Sequence, residues 1–241
     1  MTENQARKRL ANPQRNEPAT TATTATIVYN AIKLDIVHGV LAPGHKLLID
    51  QIGERYSAGT NPVREALNRL SSERLVDRID QRGFSVPPIS LADFRDIVQT
   101  RCWVEGKALE ESIRNRTEEW EDAIILATHR LKQTPVHFYD SNDPDQLPPD
   151  NTNWEDRHRT YHRSLIANCG SKYILHFSEE LMLLAERYRF ISMANSFPRR
   201  RSVDEHQEIA DAALAGDIKR AVDALQGQYR LTLKIYEETM S

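Results

Sequence analysis

Apolar side chains near the start of the chain recur at the spacing of an α-helix. Val28, Ile32 and Ile36 lie four residues apart, so they share one face of a predicted helix that Gly39 ends. The turn "LAPG" follows, and "LLIDQIGERYSAG" predicts a second, shorter helix that ends near Gly59. The pattern therefore predicts two helices joined by a tight turn.

The segment "TNPVREALNRLSSERLV" predicts a third helix with two distinct faces. We expect Thr60 to be its N-cap, because Pro62 then falls in the first turn, where proline is tolerated. The spacing i, i+3, i+4, i+7 predicts a buried face formed by Val63, Ala66, Leu67 and Leu70. The opposite, polar face carries Asn61, Arg64 and Asn68.

The next stretch, "LVDRIDQRGFSVPP", predicts a hairpin with Gly83 at its tip. Three short helices and a hairpin within residues 25–88 indicate a winged helix-turn-helix, whose third helix would enter the DNA major groove. Arginine can bind guanine and asparagine can bind adenine, while Arg82 on the wing could reach a phosphate or the minor groove. The alternative is a helical domain with a solvated polar face. The candidate DNA-binding residues are Thr60, Asn61, Arg64, Asn68, Arg82 and Gly83.

The remainder of the chain, residues 89–241, shows helical periodicity almost throughout and no strand-like alternation. The sequence "SLAD" is a capping signal that starts its first helix. Residues 134–152 form an acidic loop rich in Pro, Asp and Asn, and a loop of this length is uncommon unless it is mobile or near function. We therefore predict an all-α bundle of about six helices.

The composition excludes several classes of protein. Of 241 residues, 39% are hydrophobic and 28% charged, which is typical of a soluble globular protein, and no apolar run reaches the ~18 residues that cross a membrane. Residues 1–24 are polar and rich in Thr and Ala, so they predict a disordered tail, not a secretory signal. Cys102 and Cys169 are far apart and predict two reduced core thiols in a cytoplasmic protein.

The formal net charge of −3 divides unevenly along the chain. Residues 1–88 contain 12 Lys and Arg against 9 Asp and Glu, a net charge of +3, whereas residues 89–241 contain 20 against 26, a net charge of −6. A mildly basic part joined to an acidic part hints that the first part binds an anionic partner.

Three histidines on apolar stripes form a candidate ligand site. His158 and His162, in "HRTYH", are one helical turn apart, and His206 lies on the apolar face of a later predicted helix. Gln228 shares a face with apolar residues of the last helix. The three imidazoles could converge as a site for a metal or an anion, or they could be core residues with satisfied ring nitrogens.

The same spacing disfavours catalysis. A zinc-protease helix needs H-E-x-x-H, and Arg159 occupies the glutamate position here. The chain also lacks a glycine-rich phosphate loop and a nucleophile elbow. We therefore predict that the protein is not an enzyme, with a metal-dependent hydrolase using His158, His162 and His206 as the alternative.

The N-terminal part resembles the DNA-binding domain of the GntR family of bacterial regulators. The similarity rests on "G-x-L-x-P-G-x-x-L" from Gly39, "PVREAL-x-x-L" from Pro62 and the wing sequence "RG-x-x-V" from Arg82. It implies that Arg64 is a principal contact to bases or phosphates. The family usually has Ser-Arg-Thr before the proline, whereas residues 59–61 are Gly-Thr-Asn, which removes one expected contact to phosphate or guanine. The departure leaves open a binding or assembly protein that has lost DNA binding.

The C-terminal part resembles the FCD effector domain, the all-helical domain that defines the FadR-type branch of the GntR family. The similarity rests on "R-x-x-x-E" from Arg101, "YHRSL…CGS" from Tyr161 and "EH-x-x-I-x-x-A" from Glu205. The stretch "WEDRHRTYHRSLIANCGSKYILHF" is similar to the branch that includes regulators of glutarate and hydroxyglutarate metabolism.

The FCD resemblance implies a metal site with an effector bound at or beside it. The family's ligands fall on His158, His162 and His206, and its fourth ligand position holds Gln228. Three histidines suit a divalent ion such as zinc or nickel, whereas glutamine is a poor ligand, so Gln228 could instead mark a site that binds the effector without metal. Arg101 matches a family arginine that can bind a carboxylate, with a salt bridge as the alternative.

These features together predict a ligand-responsive transcriptional regulator that binds double-stranded operator DNA. We expect a homodimer, because two DNA half-sites call for two-fold symmetry. A small carboxylate effector would favour one of two arrangements of the helical domain and act through the junction at residues 87–90. Repression relieved by the ligand is the commoner outcome in the family that the sequence resembles.

Overall fold

A computed structural model describes residues 22–79, 83–135, 152–196 and 202–240 of the chain. Three sequence predictions lie outside these ranges: the disorder of the N-terminal tail up to residue 21, the DNA contact of Arg82 and the nature of the acidic loop between residues 136 and 151.

The N-terminal part contains three helices and a small antiparallel sheet, as a winged helix-turn-helix requires. The hairpin strands pair in the predicted place, with Ile79 opposite Gly83. A two-residue strand before the second helix joins them and gives the order β1-β3-β2. The elements are α1 (Thr24–Val37), β1 (Lys46–Leu47), α2 (Ile49–Arg55), α3 (Thr60–Ser72), β2 (Asp77–Ile79) and β3 (Gly83–Ser85).

The prediction that Thr60 is the N-cap of α3 is wrong by one residue. Gly59 occupies the cap position, with extended backbone angles, and Thr60 is the first helical residue. The backbone explains the shift, because the carbonyl of Gly59 accepts a hydrogen bond from the N–H of Val63 at 3.3 Å. Pro62 still lies in the first turn, where its missing N–H costs no helical hydrogen bond.

The C-terminal part is a bundle of six helices within the described ranges, as predicted. Its first helix begins at the expected place, where the Ser90 hydroxyl accepts a hydrogen bond from the N–H of Asp93 at 3.0 Å. None of the helices in the described ranges has both the length and the apolar content to span a bilayer. The helices are α4 (Leu91–Arg114), α5 (Glu118–Gln133), α6 (Thr152–Ile166), α7 (Lys172–Ser196), α8 (Ser202–Leu214) and α9 (Ile218–Met240).

Helix α7 connects the two parts of the molecule. Its Leu183 is buried in the hydrophobic core of the N-terminal part, and the ring of Phe190 stacks on His38 of the N-terminal part at 4.8 Å. Arg187 donates a hydrogen bond to the Pro87 carbonyl at 3.0 Å, at the junction between the parts. The winged helix-turn-helix therefore rests directly on one face of α7.

Candidate functional site

Helix α3 presents a polar face to solvent and buries its apolar face completely. Val63, Leu67 and Leu70 have no exposed surface, which anchors the helix on the N-terminal core. The opposite face borders a surface groove of about 470 Å³, lined by Asn61, Arg64, Glu65, Asn68, Arg69 and Ser72. Four of the six predicted DNA-binding residues are exposed on α3, namely Thr60, Asn61, Arg64 and Asn68.

Helix α1 holds α3 through a polar contact at the edge of this groove. The guanidinium of Arg69 lies 4.2 Å from the ring centre of Tyr29, and the Tyr29 hydroxyl donates to the carboxylate of Glu73. Burial, followed by the hydrogen bond to Glu73, raises the pKa of Tyr29 above its ordinary value, so this hydroxyl remains a neutral donor. Arg69 is therefore a positioning residue of α3, whereas Arg64 is exposed on the groove.

The predicted wing residue Gly83 opens strand β3 with a φ of 88°. This is the left-handed region, where a side chain would be strained, so glycine is required at the turn. Gly83 itself is exposed.

The three predicted histidines converge inside the helical domain. His158 and His162 come from α6 and His206 comes from α8, and one ring nitrogen of each lies within 4.8 Å of the others. All three are buried, with exposed fractions of 7%, 1% and 4%. The hydroxyl of Tyr161 donates to the backbone carbonyl of His206 at 2.7 Å, which joins α8 to α6 beside the site. The apolar stripes of the sequence therefore turn all three imidazoles inward.

The proton positions in this cluster follow from an arginine that the sequence did not indicate. Arg189, on α7, places Nη1 2.7 Å from Nδ1 of His158 and 3.4 Å from Nε2 of the same ring, so the shorter contact is the one to Nδ1. A guanidinium can only donate, so Nδ1 is the acceptor and the proton of a neutral His158 lies on Nε2. Nε2 of His158 faces Nε2 of His162 at 3.1 Å, so His158 donates this hydrogen bond. Burial, with the charge of Arg189, lowers the pKa of His158 well below its usual value and favours the neutral ring.

The hydrogen-bond chain continues from α6 to α9 and α4. Because Nε2 of His162 accepts, its proton lies on Nδ1, which is 3.3 Å from the hydroxyl of Tyr229. That hydroxyl in turn donates to Glu105, which also accepts two hydrogen bonds from Arg101 at 2.6 and 3.2 Å. The chain thus has an arginine at each end, with two histidines, Tyr229 and Glu105 between them.

Arg101 forms a salt bridge, which was the alternative to a carboxylate-binding role. Its guanidinium pairs with Glu105 on the same helix and lies 3.9 Å from the ring centre of Tyr229. Both charged residues are buried, so the pair is held away from solvent. An effector carboxylate at Arg101 would meet a guanidinium that is already paired, and this role stays a prediction. Gln228 is buried on α9 next to Tyr229, and its role stays a prediction as well.

Helices α6 and α7 are joined by a second charged cluster. Arg189 forms an ion pair with Glu155, and Arg159 donates to both carboxylate oxygens of Glu186 at 2.8 and 2.9 Å. Glu155 and Glu186 are each 3% exposed. Burial raises the pKa of Glu155 to about 7, and Arg189 acts in the opposite direction. Arg159, which fills the glutamate position of a zinc protease, is thus used to cross-link the helices.

Three buried imidazoles within 4.8 Å of one another are a donor set of the kind that binds a divalent ion such as zinc or nickel. Nε2 of His162 accepts from His158 in this arrangement, and its Nδ1 is oriented by Tyr229 and Glu105, which is the outer support that metal-binding histidines need. His206 supplies a third buried imidazole. His158 fits only if Arg189 stops donating to Nδ1, since one of its nitrogens must then carry the proton and the other the lone pair.

Sequence reasoning missed Arg189, Glu155 and Tyr229. Arg189 lies in "AERYRF", an ordinary charged helical stretch, and Glu155 belongs to the equally charged "WEDRH". Tyr229 directly follows Gln228, but no motif or spacing in the sequence singles it out. The single usable signal was the "R-x-x-x-E" spacing, which brings Arg101 and Glu105 together on α4.

Comparisons with known proteins identify both parts of the chain. Residues 24–86 match the model of the bacterial regulatory proteins of the gntR family, and residues 96–230 match the FCD domain. The chain is 33% identical over 217 residues to the uncharacterized HTH-type transcriptional regulator BphR of Paraburkholderia xenovorans, covering 87% of this chain and 84% of BphR. It is 31% identical over 217 residues to the HTH-type transcriptional repressor GlaR of Escherichia coli, covering 88% of this chain and 96% of GlaR.

Solved structures show the same fold. Escherichia coli McbR/YncC superposes with a TM-score of 0.72 at 18% identity, covering 92% of this chain and 100% of that one. A GntR regulator from Rhodococcus sp. RHA1 gives a TM-score of 0.66 at 20% identity, with 89% and 98% covered. The protein therefore belongs to the GntR family of DNA-binding transcriptional regulators, in the branch with a C-terminal FCD domain. The family and the named relatives are regulators and not enzymes.

Replacing Tyr229 by Phe should destabilise the helical domain. The change removes the hydroxyl that donates to Glu105, and the loss of one buried hydrogen bond costs about 1 kcal/mol. Urea unfolding followed by circular dichroism measures the change. Tyr173→Phe removes a hydroxyl from a tyrosine that is 67% exposed and should alter stability by less than about 0.5 kcal/mol. Equal stability of both variants and the wild type would show that the Tyr229 hydroxyl contributes nothing to the chain of hydrogen bonds.

Proposed function

We propose that the protein is a repressor that binds operator DNA as a homodimer and releases it when a small carboxylate binds in the helical domain. The observation that carries the sensing part is the convergence of His158, His162 and His206 between two arginines. The repressor assignment is supported by GlaR, a relative along most of the chain whose name states that activity. The homodimer is supported by the geometry of B-DNA, where two recognition helices address two half-sites.

DNA recognition is proposed for the exposed face of α3 and the tip of the wing. Arg64 lies on the groove next to Asn61 and Asn68, so one guanidinium and two amides face the same side. These are the groups that make paired hydrogen bonds to guanine and adenine in the major groove. The wing, with Gly83 exposed and Arg82 beside it in sequence, would contact the phosphate backbone or the minor groove.

Replacing Arg64 by Ala should abolish specific DNA retention while leaving the helical content unchanged. The lost base or phosphate contact is worth about 1–3 kcal/mol. The measurement is a gel-shift titration with an operator that the wild-type protein has selected from random DNA. Arg95→Ala is the matched control, because it removes the same charge from an exposed position on α4 that pairs with Glu237. Operator affinity that Arg64→Ala leaves unaltered would refute the proposed role of α3.

Sensing is proposed for the buried site formed by the three histidines. Two guanidinium groups, of Arg189 and Arg101, lie at the ends of the hydrogen-bond chain through this site, each paired with a buried glutamate, and guanidinium groups suit a carboxylate that would share or replace such a partner. In one arrangement the three histidines would hold a divalent ion, with Gln228 in the position of the family's fourth ligand. In the other, Gln228 would mark a site that binds the carboxylate without metal. A bound ion would supply a positive, Lewis-acidic centre for a carboxylate oxygen.

Replacing His162 and His206 together by Ala should lower the amount of bound metal. After incubation with zinc or nickel and desalting, elemental analysis should find about one ion per wild-type chain and markedly less in the variant. His129→Ala, which removes an exposed histidine on α5, should retain the wild-type content. A wild-type protein that is metal-free after both incubations would refute the metal site.

Small carboxylates should raise the melting temperature of the protein. Ligand at 100 times its Kd stabilises the native state by about 2.7 kcal/mol, which corresponds to several degrees for a chain of this size. The test is a thermal-shift screen with acetate, succinate and glutarate, each with and without zinc. The shift should disappear in the variant that lacks His162 and His206. A panel in which no acid raises the melting temperature, or in which that variant responds like the wild type, would contradict carboxylate sensing at this site.

A further inference from the structure

Arg189 donates a hydrogen bond to Nδ1 of His158. This is the nitrogen that would have to carry the proton if Nε2 bound a metal ion. Its Nη1 donates to Nδ1 of His158, so the neutral ring carries its own proton on Nε2, the atom that faces His162. In this arrangement both nitrogens of His158 are used, one as acceptor and one as donor. His158 therefore has no lone pair left for a metal ion.

A metal ion at the three histidines requires a different proton arrangement. The Nε2 lone pair of His158 becomes available only if the ring proton moves to Nδ1. A proton on Nδ1 would clash with the N–H that Arg189 directs at the same atom. The positive guanidinium and a divalent cation also repel each other in a buried site, where screening is weak. Both effects act in the same direction, so a cation and the Arg189 contact exclude each other.

We propose that Arg189 is an internal cation that competes with a divalent metal ion for His158. Because the Arg189 contact and a metal ion at His158 exclude each other, metal binding releases Arg189 from His158. The release also perturbs the ion pair of Arg189 with Glu155, which cross-links α6 and α7. This inference rests on the proposed metal-sensing function and assigns its regulation to a side chain outside the ligand set.

Helix α7 carries the consequence of this exchange to the DNA-binding part. Residues 183, 187 and 190 recur at helical spacing and share the face that packs on the winged helix-turn-helix. Arg189 lies about a third of a turn away from that face. One helix therefore contacts the histidine site and the DNA-binding part within two turns. A shift of α7 against α6 changes the support of the DNA-binding part, which couples metal binding to DNA affinity.

The competition is tested by measuring zinc binding to Arg189→Met by isothermal titration calorimetry on the full chain. We expect zinc to bind at least ten times more tightly to the variant than to the wild type. Arg163→Met is the matched control, since Arg163 pairs with Glu179 between the same two helices at 3.1 Å but away from the histidines, and it should bind zinc like the wild type. Equal or weaker binding to Arg189→Met overturns the proposal.

A double variant separates competition from two other effects of removing Arg189. Without Arg189 the buried Glu155 carboxylate could itself bind zinc, or its uncompensated charge could prevent folding. Arg189→Met combined with Glu155→Gln removes both charges of the pair. Tighter zinc binding that persists in this double variant supports competition at His158, and loss of the gain overturns it.

The coupling is tested by the effect of zinc on operator affinity. In the wild type zinc should change operator affinity, and in Arg189→Met the change should shrink at least fivefold because the contact that zinc displaces is already gone. An unreduced zinc effect in the variant, or no zinc effect in the wild type, overturns the coupling. If neither protein binds zinc, the proposed metal site fails together with this inference. If both bind zinc equally, only the inference fails.

Discussion

Arginine cannot accept a hydrogen bond, and this restriction orders the polar interior of the helical domain. Arg189 at one end and Arg101 at the other are both donors, so each group between them has one consistent role. His158 donates to His162, the Tyr229 hydroxyl donates to Glu105, and the Glu105 carboxylate accepts. A buried network of this kind is stable only when each member is satisfied, which makes the packing of four helices interdependent.

The site combines groups that suit two kinds of ligand, a cation and an anion. Three buried imidazoles suit a divalent cation, whereas two nearby guanidinium groups suit an anion. Acidic partners hold both arginines in place, so the positive charges do not simply repel each other across the bundle. Under the proposed function, a small carboxylate would bind to groups that are already ordered, which lowers the entropic cost of binding.

Periodicity alone predicted the parts of the structure that depend on burial. The apolar stripes behind His158, His162 and His206 determined which way these rings face, and they do lie together. The partners of the rings could not be predicted, because Arg189 reaches His158 only through the way α7 crosses α6. Strand β1 escaped prediction for another reason: two residues are too few for the alternation of a strand to be recognised. The N-cap of α3 differed by one residue because Gly59, without a capping side chain, still supplies the first helical carbonyl.

The hydrophobic core of the DNA-binding part is completed by a residue from the other domain. Leu183 of α7 is 8% exposed and packs among the side chains of α1, α3 and the sheet. The core of the winged helix-turn-helix thus includes a position that is filled by Leu183 from the C-terminal part. An apolar side chain from the C-terminal part at this position is therefore a compatibility requirement between the two parts. A chimera that attaches this winged helix-turn-helix to a foreign sensor domain needs an apolar side chain at the same place, or the graft will expose part of its own core to water.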